Sequence, residues 1–311
     1  MRRVEQIISR IRRETENEGF GDSFGISDNE MVDYLNDAQD RVHAEAVKKY
    51  PKFFLAEEVL TSPINQEAVD LPARIFLGHI QLLEYSSTGN TGDYYRLKQA
   101  EFPERFGEAV GHPEYYIRKN NEILLVPTPG SSSGFLRVTY VKKLARLDKR
   151  RAQILTVSTS GNSITSLTLD TSVELDRDAI LDEYFASVAE KTGAQKMAAI
   201  PIEDINESTG VVTLGSGFEF EEGETISVGD YLVAGEFSTN KSTLHDFTER
   251  YLSSHLRMEI LDRDSNSSGT ANQNEKMTQM LAEIIESYDD ENSDIHEPTV
   301  LDSQYIIDDN W

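Results

Sequence analysis

Apolar residues recur at three- and four-residue steps near both ends of this chain and at short, β-branched intervals through its middle. No single type of secondary structure satisfies both spacings, so helix and sheet must share the fold. Val4, Ile7, Ile8 and Ile11 make one stripe, which predicts an amphipathic helix over residues 3–17 with Arg2, Arg3, Arg10, Arg12 and Arg13 on or near its wet side. The segment from Gly19 to Gly25 ends it, and Ser27 with Glu30 three residues later forms a capping box for the next helix. Met31, Leu35, Ala38 and Val42 line that second helix, predicted over 28–49 and stopped by Tyr50 and Pro51.

From Phe53 the pattern is that of strands. FFLAEEVLTSPINQEAVDLP has β-branched positions and a Pro-Ile-Asn turn, and ARIFLGHIQLLEYSS continues it. KQAEFPERFGEAVGHP reads as a short helix and loop. EYYIRKNNEILLVP and GFLRVTYVKK read as strands of a hairpin pair, with Asn120-Asn121 and Pro129-Gly130 as turn signals. Residues 151–241 form a second β-rich stretch punctuated by Ser160-Gly161-Asn162 and further glycines. Within it, DAILDEYFASVAEKTGAQ suits a helix closed by Gly193 as well as a strand; the likeness of DEYFASVAE to the later GDYLVAGE tips the reading to strand. At Ser242 helical spacing returns: Leu244, Phe247, Tyr251, Leu252, His255, Leu256 and Ile260 predict one long helix over about 242–264. SNSSGTANQ then reads as a linker before a last short helix, NEKMTQMLAEIIESY.

The expected fold class is α+β: a helical bundle with antiparallel β-modules and an extended C-terminal arm. Its predicted segments are 1–150, an inserted β-rich module at 151–241, return helices at 242–288 and an acidic arm at 289–311. At 311 residues the chain is long enough for two modules. The net charge of −25 repels polyanions, which argues against sequence-scanning DNA binding and against binding to an acidic membrane. The absence of cysteine removes disulfides, zinc-thiolate sites and thiol catalysis. No run approaches the roughly 20 apolar residues that span a bilayer, and the first residues have no signal-peptide character. The chain reads as a soluble acidic protein made inside a cell.

Catalytic chemistry finds little to build on. His43, His79, His112, His245, His255 and His296 share no metal-ligand spacing, and no HExxH or nucleophile-elbow motif occurs. Residues 262–273, DRDSNSSGTANQ, place Asp262, Asp264 and Asn266 like a calcium loop. They then fail at its two strictest positions, with Ser267 for the glycine and Gln273 for the bidentate glutamate. The glycines of GSGFEFEEG do not open a helix as phosphate cradles do, and its glutamates would repel phosphate. Glu57-Glu58 and Glu221-Glu222 are the kind of acidic pair a glycosidase needs, yet in a chain with 55 Asp and Glu such pairs arise by composition, and strand neighbours point to opposite faces. The tyrosines beside Arg118 and Lys119 suit a half-buried strand better than a stacking platform for single-stranded nucleic acid. We therefore expect no enzyme, no cofactor and no metal.

The acidic tail has two readings. One is a solvated solubiliser. The other is an anchor that orders on a partner, which better explains why Tyr305, Ile306, Ile307 and the single Trp311 sit at its tip.

An ordered set of segments carries more than any one motif. ISDNEMVDYLNDAQDRVHAEA, the YPKFF that follows, the Asp-Leu-Pro of VDLPARI, and HPEYYIRKNNEILLVPTPGSSSGFLRVTYVKKLARL together resemble the head-to-tail adaptor (connector) proteins of tailed bacteriophages. In that family a helix opening with Ser, Asp and Glu and bearing an Asn-x-Ala-Gln stretch, here Asn36 to Gln39, precedes a Pro-bounded hairpin, here Pro113 to Pro129. The likeness covers residues 1 to about 147 and, less fully, 242–264; the β-module and the long arm depart from it. It implies a virion protein made in the host cytoplasm and placed at the head–tail junction as a ring of identical subunits, commonly twelve. Such a ring joins the portal protein to a tail or nozzle protein, its helices form the wall, its C-terminal arm reaches a neighbouring ring, and DNA passes through the lumen without sequence-specific binding. The alternative is another tail-associated structural or carbohydrate-binding (adhesin) protein, with glycan binding in 151–241.

Overall fold

A computed structural model of the chain describes residues 1–17, 26–62, 66–100, 110–130, 134–160, 163–170, 185–206, 208–215, 225–263 and 267–294. Over these residues the protein is mixed α+β, with four α-helices and many antiparallel strands, six of which close into a barrel. It divides into two compact units, residues 46–144 and residues 1–45 with 145–311.

The smaller unit is built from strands β1 (Leu55–Ser62), β2 (Ala68–Asp70), β3 (Ile75–Ser86), β4 (Tyr95–Arg96), β5 (Lys98–Gln99), β6 (Val110–Gly111), β7 (Tyr115–Lys119), β8 (Glu122–Val126), β9 (Thr128–Pro129) and β10 (Gly134–Lys142). One sheet has the order β1-β10-β3-β4, a second β2-β8-β7-β5, and β6 and β9 form a short parallel pair. Alternation sets the core. Leu136, Val138 and Tyr140 of β10 point the same way as Leu83 and Tyr85 of β3, and they pack with Val69, Tyr116, Ile123 and Leu125 from the second sheet. Lys119 pairs with Glu122, so Asn120-Asn121 is a two-residue hairpin turn, with Asn120 at φ 54° as such turns require. In β3, the register with β10 slips between Ile75 and Ile80, where Leu77 and Gly78 both have positive φ. Leu77 is left 69% exposed there, and a Cβ on Gly78 would collide with the Arg118 guanidinium.

The larger unit begins with helices α1 (Val4–Asn17) and α2 (Asp28–Lys49), the last turn of α2 belonging to the smaller unit. Strands β11 (Arg146–Leu147), β12 (Ala152–Ser160), β13 (Ser163–Leu169), β14 (Phe185–Ala189), β15 (Gln195–Asn206), β16 (Val211–Leu214), β17 (Tyr231–Ala234) and β18 (Ser238–Thr239) follow, and then helices α3 (Thr248–Arg263) and α4 (Ser267–Asp294). The barrel runs β12-β13-β16-β15-β14-β17, and its interior is filled by side chains such as Ile154, Leu167, Val188, Ile200, Val212 and Leu232. The two similar segments noted in the sequence are barrel partners: Ala186 to Ala189 of β14 pair antiparallel with Ala234 to Tyr231 of β17. Gly193, expected as a helix stop in the helical reading, instead sits at φ 95° in the turn between β14 and β15.

Both predicted N-terminal helices form, with Val4, Ile7, Ile8 and Ile11 buried on α1 and Met31, Leu35, Ala38 and Val42 on α2. The capping box closes reciprocally, the Glu30 amide donating to Ser27 Oγ at 3.1 Å and the Ser27 amide to Glu30 Oε2 at 3.3 Å. Arg12 reaches across to Asp28 at 2.5 Å and to the Ile26 carbonyl, tying α1 to the start of α2.

Several expectations are corrected. GFLRVTYVKK is no hairpin partner of EYYIRK; as β10 it lies between β1 and β3, because its inward residues Leu136, Val138 and Tyr140 complete the core between the two sheets. Phe53 and Phe54 close a 3₁₀ turn, Pro51–Phe54, rather than start a strand. Of the short helix expected at KQAEFPERFGEAVGHP, Lys98–Gln99 and Val110–Gly111 are strands and 101–109 lie outside the described residues. The return helix starts at Thr248 and not at Ser242, since long-range bonds such as Asn240 amide to Gly193 carbonyl and Ser242 Oγ to Gln39 Oε1 hold the preceding chain out of helical geometry. Phe247, expected on its apolar face, is 60% exposed and stacks on His245 at 4.8 Å. The expected linker is largely helical: α4 begins at Ser267 and runs past Tyr288 to Asp294. Its buried Met277, Ile284, Ile285 and Tyr288, together with the Gln273 to Ser254 hydrogen bond onto α3, outweigh the roughly 1 kcal/mol that a mid-helix glycine costs.

His43 on α2 is fully buried, and that burial pulls its imidazole down to about 4. His255 on α3 is shifted down too, by burial first and by the charge of Arg41, with Asp37 opposing. The unfolded chain therefore takes up protons that the folded chain refuses, and stability falls as pH drops from about 6.5 towards 4. Urea unfolding at stepped pH should show this loss, at most about 3 kcal/mol from His43, and His43→Leu should flatten the slope. Ser27→Ala should lower the unfolding free energy by about 1 kcal/mol without changing the slope of the denaturant curve.

Candidate functional site: a polar seam on the second helix

Where the chain re-enters the larger unit at Ala145, it runs through the interior, and its peptide groups need partners. One side is satisfied by β18: β11 pairs in parallel, Arg146 beside Ser238 and Leu147 beside Thr239, with the Arg146 amide on the Phe237 carbonyl at 2.9 Å. The other side is satisfied by side chains of α2. The Leu147 amide donates to Asn36 Oδ1 at 2.7 Å, and Asn36 Nδ2 donates back to the Leu147 carbonyl at 2.9 Å, so the amide side chain pairs as a neighbouring strand would. One turn on, Gln39 Nε2 donates to the Ala145 carbonyl at 2.9 Å while its Oε1 accepts from Ser242 Oγ at 2.6 Å. Asn36 and Gln39 are 7% and 1% exposed, so these bonds are made away from water.

The seam continues at Asp148. Its carboxylate accepts from Arg151 through Nε at 3.0 Å and Nη2 at 2.8 Å, and from the Ala234 amide of β17 at 2.7 Å. Burial pushes this carboxyl up, while the guanidinium and amide pull it back. Asn240 bridges the Asp148 carbonyl at 2.9 Å and Glu5 of α1 at 3.0 Å, and Glu5 Oε1 also takes the Arg150 amide at 2.8 Å. The Arg150 guanidinium lies 4.2 Å over the Tyr231 ring. α1, α2, the barrel and the chain entering α3 thus meet on residues 145–151. Beside them an open cleft of about 210 Å³ is walled by Glu5, Asp28, Arg12 and Lys149 with Ile8 and Ser9, a lining that favours neither sign of charge. Bonded in this way, the seam's groups are suited to fixing elements relative to one another.

The residues singled out earlier fall elsewhere. Tyr305, Ile306, Ile307 and Trp311 lie outside the described residues, as do His296 and Glu221-Glu222. Glu57 and Glu58 sit on opposite faces of β1, Glu58 accepting from Tyr140 Oη at 3.1 Å. Tyr116 is buried in the smaller unit's core, on a half-buried strand. His43 and His255 lie in the larger unit's interior, and no cluster of His, Asp or Glu among the described residues could hold a metal. No helix among them is long and apolar enough to cross a membrane.

The seam's helix lies in the stretch that comparison with protein families recognises, since the family described as SU10 adaptor protein matches residues 2–181. The chain belongs to that family. It is accordingly a phage adaptor-type protein, a structural virion component that associates with other virion proteins. The match passes the limit near residue 147 placed on the resemblance, runs on through β12 and β13, and stops short of α3. No curated protein matches the chain significantly. The Asn-x-Ala-Gln stretch was legible as a motif, but its work of pairing with Ala145 and Leu147 was not, because its partners lie more than 100 positions away.

Replacing Asn36 with Ala leaves a buried amide and carbonyl of Leu147 without their partner; the expected loss is about 2–4 kcal/mol of stability by urea unfolding, with Asn36→Asp also destabilised through a buried charge.

Proposed function

We propose that this chain is a head-to-tail adaptor: a ring of identical subunits, commonly twelve, that lies under the portal and joins it to the tail. The observation that carries the reading is the family match over residues 2–181, which spans α1, α2 and the whole smaller unit. In the ring, the helices stand side by side as a bundle forming the wall, and residues 151–241 act as an inserted module. The role is mechanical, with no catalysis, cofactor or metal.

The charge of −25 supports this placement. A lumen that passes DNA works best when its wall does not hold phosphates, and an acidic wall repels them. The C-terminal arm, from 289 in sequence terms, carries Tyr305, Ile306, Ile307 and Trp311 as an anchor that docks on the portal or on a tail or nozzle protein.

Electron microscopy of intact particles labelled on this chain should place it in an annulus at one capsid vertex, and density anywhere else refutes the reading. Removing residues 295–311 should leave a chain that keeps its cooperative unfolding transition but no longer joins its neighbouring ring. Full assembly of the truncated chain would remove the anchor role.

A further inference from the structure

Among the described residues, the sheet β1-β10-β3-β4 has two unpaired edges of opposite character. β1 pairs with β10 over all eight residues without a bulge, and LAEEVLTS has no lysine or proline, its only charges being Glu57 and Glu58. Val59 is 51% and Leu55 37% exposed on it. At the far edge, the Leu97 amide turns inward to Leu83 of β3 while the Lys98 amide turns outward to the Glu114 carbonyl just before β7, so among the described residues the unpaired length is centred on Tyr94 to Arg96.

Register places the charges. Val59, Arg137, Glu84 and Arg96 are directly opposed in sequence across the four strands and so share one face. Arg137 pairs with Glu84 at 2.7 Å and lies 4.3 Å over Tyr94, which puts Tyr94 on that face too. Glu57, two residues before Val59, also faces this way. Glu57 and Arg96 are both exposed, and neither has an ion-pair partner among the described residues.

We propose that the β1 edge of one copy adds to the β4 edge of the next, with Glu57 meeting Arg96 and Val59 lying against Tyr94. The inference rests on the ring reading above and gives it a contact. Ring closure needs a heterologous, head-to-tail interface, which two different edges of one sheet supply. Because four strands alternate in direction, like-oriented copies bring β1 beside β4 antiparallel. Pairing two β1 edges with each other would instead crowd Glu57 and Glu58 against their own copies.

The test is self-association of the full chain by mass photometry and sedimentation, at low and high salt. Glu57→Lys and Arg96→Glu should each weaken association by roughly fivefold at low salt, and the double reversal should recover most of it. Circular dichroism of each variant checks that the fold is kept, and Val59→Lys, at an exposed position, provides a second edge-blocking variant. If rings form and ignore both reversals, or the double variant does not recover, the edge contact is overturned while the ring reading stands. If the wild-type chain does not self-associate at any concentration, the edge contact falls, while the ring reading is decided by the chain's place in the intact particle.

Discussion

The larger unit depends on buried peptide groups finding partners. A chain that leaves α2, builds a separate unit of about 100 residues and returns must thread its backbone back through an interior from which water is excluded. The return is made at residues 145–148, and its outward peptide bonds are met by Asn36 and Gln39 as if α2 carried a strand of its own. Deprived of such partners, each buried amide or carbonyl would cost about 1–3 kcal/mol, a large part of a domain's net stability. The same few residues also bring α1, through Glu5, and the barrel, through Ala234, to one line of contacts.

Around that line the two kinds of core differ in how they are specified. The barrel is closed, so it has no edges and its interior is satisfied by alternating apolar side chains alone. Among the described residues the main sheet of the smaller unit is unpaired at both ends, and its outer face mixes an ion pair, a cation–π contact and exposed aliphatic residues. A surface of that composition is a candidate for contact with another polypeptide, which is what membership of an adaptor family calls for. The charge of the chain acts at longer range, setting which polymers are repelled rather than which protein is met.

Local signals were legible where they were self-contained. The stripe of α1, the capping box of α2 and the Asn120-Asn121 turn needed only neighbours within four residues, and each appears as read. Signals that depended on distant partners misled. Ser242 to Phe247 has helical spacing but follows Asn240, held by Gly193, and begins at Ser242, held by Gln39, and SSGTANQ looks like a linker but is helical because residues farther along α4 pack well. The seam was visible only as the residue types Asn and Gln on a helix face.

By itself the sequence determined the mixed α+β class, the ends of the first two helices, the strand character of much of the described part of 151–241 and the likeness to phage adaptor-type proteins. These follow from periodicity, capping and segment order, which act over short distances along the chain. Only the tertiary structure decided that β10 joins β1 to β3, that the β-rich stretch closes into a six-stranded barrel, and that Asn36 and Gln39 serve a strand rather than a surface. Strand pairing and buried polar matching are set by which groups meet after the chain has folded back on itself, and that meeting has no local trace in the order of residues.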